Sequence, residues 1–268
     1  MDIPVWQYIL SIAVYTAILY VVHELSRKYL KGATVFFILA IFTFPLWLNN
    51  LDGWFRWGKT LIVLIPTCFT NLVRLSNRSK NEGWEFLRKE WPLYILYIVL
   101  SLNIIEASLK DLALGNYFNA ISGFLLCITI PLPKKSWRIS GSYGDLIADF
   151  PLMWCFLYTT WNACFVYAEN PGYLASSICI LLVPEIVSII KGRSDLWLSA
   201  RVYTLAFHLL IRATYDIFTP IMDSSAWANE NVVSIWGIIN IIVHISFAIW
   251  WFTKGSIKNN TKAKPKPI

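Results

Sequence analysis

Long apolar stretches alternate with short polar connections along the whole chain. A helix needs about 20 mainly apolar residues to cross the roughly 30 Å hydrocarbon core of a bilayer. Nine stretches reach or approach that length: 4–24, 33–50, 58–75, 91–111, 115–133, 147–168, 172–190, 197–219 and 232–253. The pattern therefore predicts an all-α fold, a polytopic transmembrane bundle of about nine helices. Seven or eight helices remain as alternatives, because the second, third and seventh stretches are short or interrupted.

Lys and Arg residues gather in alternate connections of this pattern. Most of the 23 lie in the odd-numbered connections and after the last stretch, at 27–31, 74–89, 134–138, 191–193 and 254–266. Because basic loops stay on the cytoplasmic side of a membrane, the N-terminus is predicted outside and the C-terminus inside. Residues 1–253 then form a single transmembrane helical domain. Residues 254–268 form a basic, disordered cytoplasmic tail near anionic lipid headgroups.

Composition narrows the class of protein. With 57% hydrophobic and 15% charged residues, the chain has too few charged side chains to cover a soluble core and too many apolar ones for disorder. The net charge of +7 does not indicate nucleic-acid binding, because the basic residues lie between apolar stretches. The five cysteines stand singly in apolar runs, so neither a metal nor a cofactor is predicted. The expected partners are the bilayer of the cytoplasmic membrane and a small polar solute or ion.

Polar side chains within apolar helices are energetically costly, and they often mark functional sites. The predicted topology places one set in the outer half of the membrane: Asn103, Glu106, Asn119, Asn162, His208, Arg212, Asp216, Asn240 and His244. We expect a buried or water-filled polar site that opens outward. The alternatives are an ion pair of Glu106 with Arg212 without any ligand, structural hydrogen bonds for both histidines, and Asn103 and Asn162 as links between helices.

A second polar set falls toward the cytoplasm: Glu24, Asp145, Asp149, Glu185 and Arg201. Pro184 precedes Glu185, and a proline inside a membrane helix frees a backbone carbonyl and permits a kink. The alternative is an ion pair of Glu185 with Arg201 that only holds helices together. Glu24, Asp145 and Asp149, like Asp216 at the other end, lie near predicted helix ends, where carboxylates that face water are expected.

Several of these residues lie in strings that resemble a known family. The strings are LNIIEA at 102–107 with Lys110 and Asp111, NAISG at 119–123, Asp145 with Pro151 and Trp154, WN at 161–162, Arg201 with TLA at 204–206, and HEL at 23–25. Together they are similar to an uncharacterised bacterial integral-membrane family that is known only as a domain of unknown function. The resemblance covers nearly the whole chain. It implies a bacterial cytoplasmic membrane and a compact helical bundle, and it implies no chemistry.

Three functions follow as hypotheses, and no catalytic residue is assigned because HExxH, GxSxG and phosphate-loop motifs do not occur in the sequence. The first is a transporter or channel-like carrier, with Asn103, Glu106, Asn162 and Arg212 as its outer site and Glu185 as a proton or cation relay. The second is a membrane enzyme that acts on a lipid or isoprenoid at the cytoplasmic face, through the inner polar set. The third is a non-catalytic sensor or assembly subunit whose charged pairs are structural.

Overall fold

The computed structural model describes residues 3–51 and 54–255. Its α-helices are α1 Val5–Lys28, α2 Leu30–Ile41, α3 Trp54–Arg78, α4 Trp91–Ala113, α5 Tyr117–Ile128, α6 Pro133–Ser136, α7 Leu152–Glu169, α8 Leu174–Ile190, α9 Trp197–Thr214, α10 Phe218–Met222 and α11 Glu230–Trp250. Short 3₁₀ segments join several of them, and a π-helical turn, Trp251–Gly255, continues α11. The helical class is therefore confirmed. The predicted tail lies almost wholly outside the described residues.

Five helices in the described ranges are long and apolar enough to cross a membrane: Val5–Lys28, Trp57–Arg78, Trp91–Ala113, Pro171–Ile190 and Glu230–Thr253. These helices indicate a membrane protein. The finer prediction of about nine crossings, with the N-terminus outside, stays a prediction.

Two apolar helices are shorter than a bilayer requires. The α2 and α5 helices have 12 residues each, which corresponds to about 18 Å at 1.5 Å per residue. A 3₁₀ segment, Phe44–Asn49, follows α2. The α5 helix ends at Ile128, shortly before Pro131 and Pro133, where proline removes backbone donors and disfavours helical geometry in the preceding residue.

The burial pattern places α9 at the centre of the bundle and apolar side chains at its periphery. Trp197, Tyr203 and Ala206 of α9 are fully buried, and the helix packs against α1, α3 and α8. The outward faces of α1 and α11 expose large aliphatic side chains such as Ile9 and Ile242. An exterior of this kind is stable only where the surrounding solvent is itself apolar, as it is in lipid.

A β-hairpin interrupts the helical pattern between α6 and α7. Strand β1, Trp137–Ser140, pairs antiparallel with β2, Asp145–Ala148, and Ser140 lies opposite Asp145. Gly141 and Gly144 take φ angles of 83° and 60° in the turn, a left-handed geometry that glycine adopts without strain. The expectation that Asp145 and Asp149 open a helix is therefore wrong, because α7 begins only at Leu152.

Candidate functional site

A polar cavity of about 120 Å³ lies among α3, α4, α7, α8 and α9. It adjoins a wider recess of about 250 Å³ near the end of α4 and the end of α7. The two cavities share Lys59, Glu169, Asn170, Leu209 and Arg212. Polar side chains from all five helices line the inner cavity: Lys59, Asn103, Glu106, Tyr158, Asn162, Glu169, Ser177, Arg201, His208 and Arg212. The bundle thus contains a polar chamber with a mouth at one end.

Five of the nine residues predicted for the outer site line this cavity. They are Asn103, Glu106, Asn162, His208 and Arg212. Arg201, which the sequence placed in the inner set, lines the same chamber. Its backbone lies near the start of α9, which the predicted topology puts close to the cytoplasm. Its long side chain nevertheless reaches the lining of the chamber.

Arg201 is a buried charged group of the cavity with few good hydrogen bonds. It is 5% exposed, and its Nη1 and Nη2 donate to the Ile180 carbonyl and to Asn162 Oδ1, each at 3.4 Å. These distances exceed those of good N–H···O bonds. The Nε atom has no hydrogen-bond partner among the described residues. The guanidinium carbon also lies 5.5 Å from the centre of the Tyr158 ring. A buried guanidinium so placed retains donors that a ligand can use.

The carbonyl that Arg201 uses becomes available because of Pro184. Residue 184 would normally donate its backbone N–H to residue 180, four positions earlier in α8, and proline has no N–H to donate. The Ile180 oxygen instead accepts from Arg201 Nη1 at 3.4 Å, whereas Thr204 Oγ1, 3.5 Å away, is closer to the Ala200 carbonyl at 2.9 Å. The α8 helix continues through Pro184, and the carbonyl that the proline frees helps to position the cavity arginine.

The ion pair of Glu185 with Arg201, an alternative that the sequence left open, does not form. Glu185 Oε1 accepts instead from Thr159 Oγ1 at 2.8 Å and from Trp197 Nε1 at 2.9 Å. Among the residues that the structure describes, no Asp or Glu forms an ion pair with Arg201. The positive charge of Arg201 is therefore not neutralised by a carboxylate within the chamber.

Nearer the mouth, the charged groups are partly paired. Lys59 Nζ lies 3.4 Å from Glu106 Oε1, with the two side chains 35% and 38% exposed. The Arg212 guanidinium carbon lies 3.6 Å from the centre of the Tyr173 ring, a cation–π contact. Lys59 is not among the site residues predicted from the sequence, because it lies at the very start of the apolar stretch 58–75. In the structure it lies within α3, more than one turn after the helix begins.

His208 has a structural partner at the wall of the cavity. Its Nδ1 lies 3.0 Å from the Tyr15 hydroxyl, and the ring is 1% exposed. The hydrogen-bonded role that was one alternative for this histidine therefore has a definite partner, on α1.

Three other residues of the predicted outer site belong to a separate hydrogen-bond network. Asn119 Nδ2 donates to Asp111 Oδ2 at 2.7 Å, and Asn240 Nδ2 donates to Asn119 Oδ1 at 2.7 Å. His244 Nδ1 contacts the Asn240 carbonyl at 2.6 Å. All four residues are buried, so the network joins α4, α5 and α11 as interhelical links. Asp216, the remaining member of the set, is exposed beyond the end of α9.

The inner acids do not form one site. Glu24 pairs with Lys191 at 2.6 Å, and Asp149 pairs with Arg138 at 2.6 Å near the surface. Asp145 is 1% exposed, so the expectation that it faces water is wrong. Its two carboxylate oxygens accept from Arg27 Nε at 2.9 and 3.0 Å.

Arg74 stabilises the same region, and nothing in the sequence pattern predicts that it is buried. It is 0% exposed and lies 3.7 Å from Asp145 Oδ1. Its guanidinium donates to the carbonyls of Ser26, Arg27, Tyr143 and Gly144 and to the Tyr203 hydroxyl. A basic residue next to a predicted loop is usually solvated, so only the packing of α1, α3, α9 and the hairpin could reveal this role.

Within the described residues, no group of three or more His, Cys, Asp or Glu is arranged to hold a metal ion. The five cysteines are free thiols, four of them buried. A comparison with protein-family models, curated proteins and solved structures finds no significant match to this chain. The resemblance to an uncharacterised bacterial membrane family therefore stays a prediction.

Proposed function

We propose that this chain is a multi-pass protein of the bacterial cytoplasmic membrane that carries a small polar solute or ion through the chamber lined by Arg201. The observation that supports the proposal best is Arg201, a buried guanidinium that lines the cavity and whose Nε has no hydrogen-bond partner among the described residues. Burial of a polar group without a partner costs free energy, and a bound solute would remove that cost.

The route begins at the recess shared by Lys59 and Arg212. The C-terminal ends of α4 and α7 reach this mouth, and the topology proposed from the positive-inside pattern would put those ends on the outer side. A solute would meet Lys59, Glu106 and Arg212 first and Arg201 afterwards. The exposed charges at the mouth select polar solutes, and the buried guanidinium binds them.

A carrier must also change which end of its site is open. Pro66 in α3 and Pro184 in α8 lie inside two helices that border the chamber, and interior prolines are the usual sites of helix bending. We propose that bending at these two residues alternates access to Arg201, as discontinuous helices do in other transporters.

The test is solute flux into liposomes that contain the purified full-length protein. The probes are labelled acetate, octanoate, inorganic phosphate, glutamate and rubidium ion, and the variants are Arg201→Gln and Glu106→Gln. We expect at least one probe to enter faster than into protein-free liposomes, and both variants to reduce that rate at least tenfold. The matched control is Arg138→Gln, because Arg138 is half-exposed on the hairpin and does not line the cavity.

The carrier proposal fails if no probe enters above the protein-free rate, or if both variants carry solute at the wild-type rate. Of the other hypotheses, the membrane enzyme lacks a supporting geometry, because Asp145 and Glu185 are engaged by Arg27 and by Trp197 respectively. The sensor or assembly subunit requires no cavity, and the chamber therefore favours a carrier over it.

A further inference from the structure

A second cavity, of about 80 Å³, adjoins the polar chamber at Arg201. The two cavities share Val63, Asn103, Tyr158, Arg201 and Leu205. Beyond these residues the second cavity is lined mainly by aliphatic side chains of α3, α4 and α9, such as Ile62, Val99 and Val202, together with Thr67 and Thr70. The guanidinium therefore lies where a polar space meets an apolar one.

The apolar cavity is a crevice between α3 and α4. Ile62 of α3 lines it and is 58% exposed, so part of its lining lies at the outer surface of the bundle. Both helices are among those long and apolar enough to cross a membrane. In a bilayer this edge would face hydrocarbon, and the crevice would connect lipid to the buried arginine.

One edge of the Arg201 guanidinium, formed by Nε and Nη2, makes no strong hydrogen bond within the described residues. The Nε–H and one Nη2–H of any guanidinium point in the same direction and can bind both oxygens of one acid group. Nε of Arg201 is unpartnered, and Nη2 is held only by Asn162 Oδ1 at 3.4 Å. Because no carboxylate pairs with Arg201 among the described residues, a bound anion would compensate its charge.

We infer that the solute is an amphipathic anion, with an acidic head bound to the Nε and Nη2 edge of Arg201 and an apolar chain in the crevice between α3 and α4. This inference rests on the proposed function and names its substrate class. The head is a carboxylate or a phosphate ester. The same chemistry occurs in a soluble short-chain acid, which would enter through the recess, and in an acidic membrane lipid, which would enter through the crevice.

The test is equilibrium binding of labelled octanoate to the full-length protein in phosphatidylcholine nanodiscs, with binding to empty nanodiscs subtracted. Unlabelled octanoate, octanol and acetate are the competitors. We expect octanoate to compete at least tenfold better than octanol, which lacks the charge, and than acetate, which lacks the chain. Arg201→Gln should weaken octanoate binding at least tenfold.

A pair of substitutions on α4 tests the crevice. Val99→Phe fills the cavity and should weaken octanoate binding at least fivefold while leaving the affinity for acetate unchanged. Leu102→Phe is the control, because Leu102 is 58% exposed and does not line the crevice. Ile62→Trp, at the exposed edge, repeats the test if Val99→Phe does not fold.

Equal competition by octanol would overturn recognition of an acid, and equal competition by acetate would overturn recognition of a chain. Equal effects of Val99→Phe and Leu102→Phe would exclude the crevice. Nanodiscs that contain phosphatidate as a competing acidic lipid identify the source of the bound anion. Loss of octanoate binding in these nanodiscs assigns the site to a membrane lipid, and retained binding assigns it to a soluble acid. Uptake of labelled acetate without any preference for octanoate overturns this inference alone, whereas octanoate that binds but is not transported overturns the carrier alone.

Discussion

Replacement of Asp145 by Asn should destabilise the protein far more than the same replacement at Asp149. Asp145 is 1% exposed, accepts two hydrogen bonds from Arg27 Nε, and lies 3.7 Å from Arg74 Nη2. The substitution keeps the shape of the side chain and removes its charge, which leaves two buried cations with less compensation. Removal of one partner from a buried ion pair typically costs about 3–5 kcal/mol.

The expected loss lies near the lower end of that range. Glu24 Oε1 remains 3.6 Å from Arg27 Nη1 and continues to compensate part of the charge. The measurement is the free energy of unfolding in mixed micelles, with SDS as denaturant and far-UV circular dichroism as the signal. We expect Asp145→Asn to lower it by about 3 kcal/mol.

Asp149→Asn is the matched control, because Asp149 belongs to the same short segment and also pairs with an arginine. Its side chain and that of Arg138 are 44% and 49% exposed, and exposed ion pairs contribute about 0–1 kcal/mol. If the two substitutions lower the free energy of unfolding equally, the buried cluster does not stabilise the fold as we argue.

Two further substitutions test packing and the cavity. Gly123→Ala would place a Cβ atom 2.0 Å from Ser108 Oγ, and we expect it to lower the free energy of unfolding by about 1–3 kcal/mol in the same assay. Its control is Gly32→Ala, whose Cβ meets nothing within 4 Å and which should raise the free energy of unfolding by about 0.5–1 kcal/mol. Equal values for the two variants would show that α5 can shift away from α4. Pro184→Ala restores the backbone N–H that binds the Ile180 carbonyl, so the Arg201 guanidinium loses an acceptor. We expect octanoate binding to weaken about three- to tenfold. Unchanged binding would show that this carbonyl does not position Arg201.

Helical segments were predictable because the apolar stretches are long and continuous. The hairpin was not, since strands of four residues have too short a pattern to compete with the apolar run that follows them. Gly141 and Gly144 mark the turn in the sequence, but β2 is stable only because all four of its residues are buried against neighbouring helices. That burial depends on residues far away in the chain.

The sequence predicts how far along its helix each site residue lies, but not which way its side chain points. A residue's distance along its helix can be counted, and this count placed Asn103, Glu106, Asn162 and Arg212 near one another. The rotation of each helix about its axis depends on its neighbours, so the same count placed Asn119 and Asn240 in the site although they belong to another network. Long side chains also mislead such a count, because the guanidinium of Arg201 lies at a different depth from its own backbone.

By itself the sequence determined the helical class, the apolar exterior and which polar residues lie within the helices, because these properties depend on local composition and spacing. Tertiary structure alone decided the partner of each charge. It paired Asp145 with Arg27, Glu106 with Lys59, and Arg201 with an amide and a carbonyl in place of a carboxylate. Ion pairs and cavities arise from the relative positions of several helices, and those positions follow from the packing of the whole bundle.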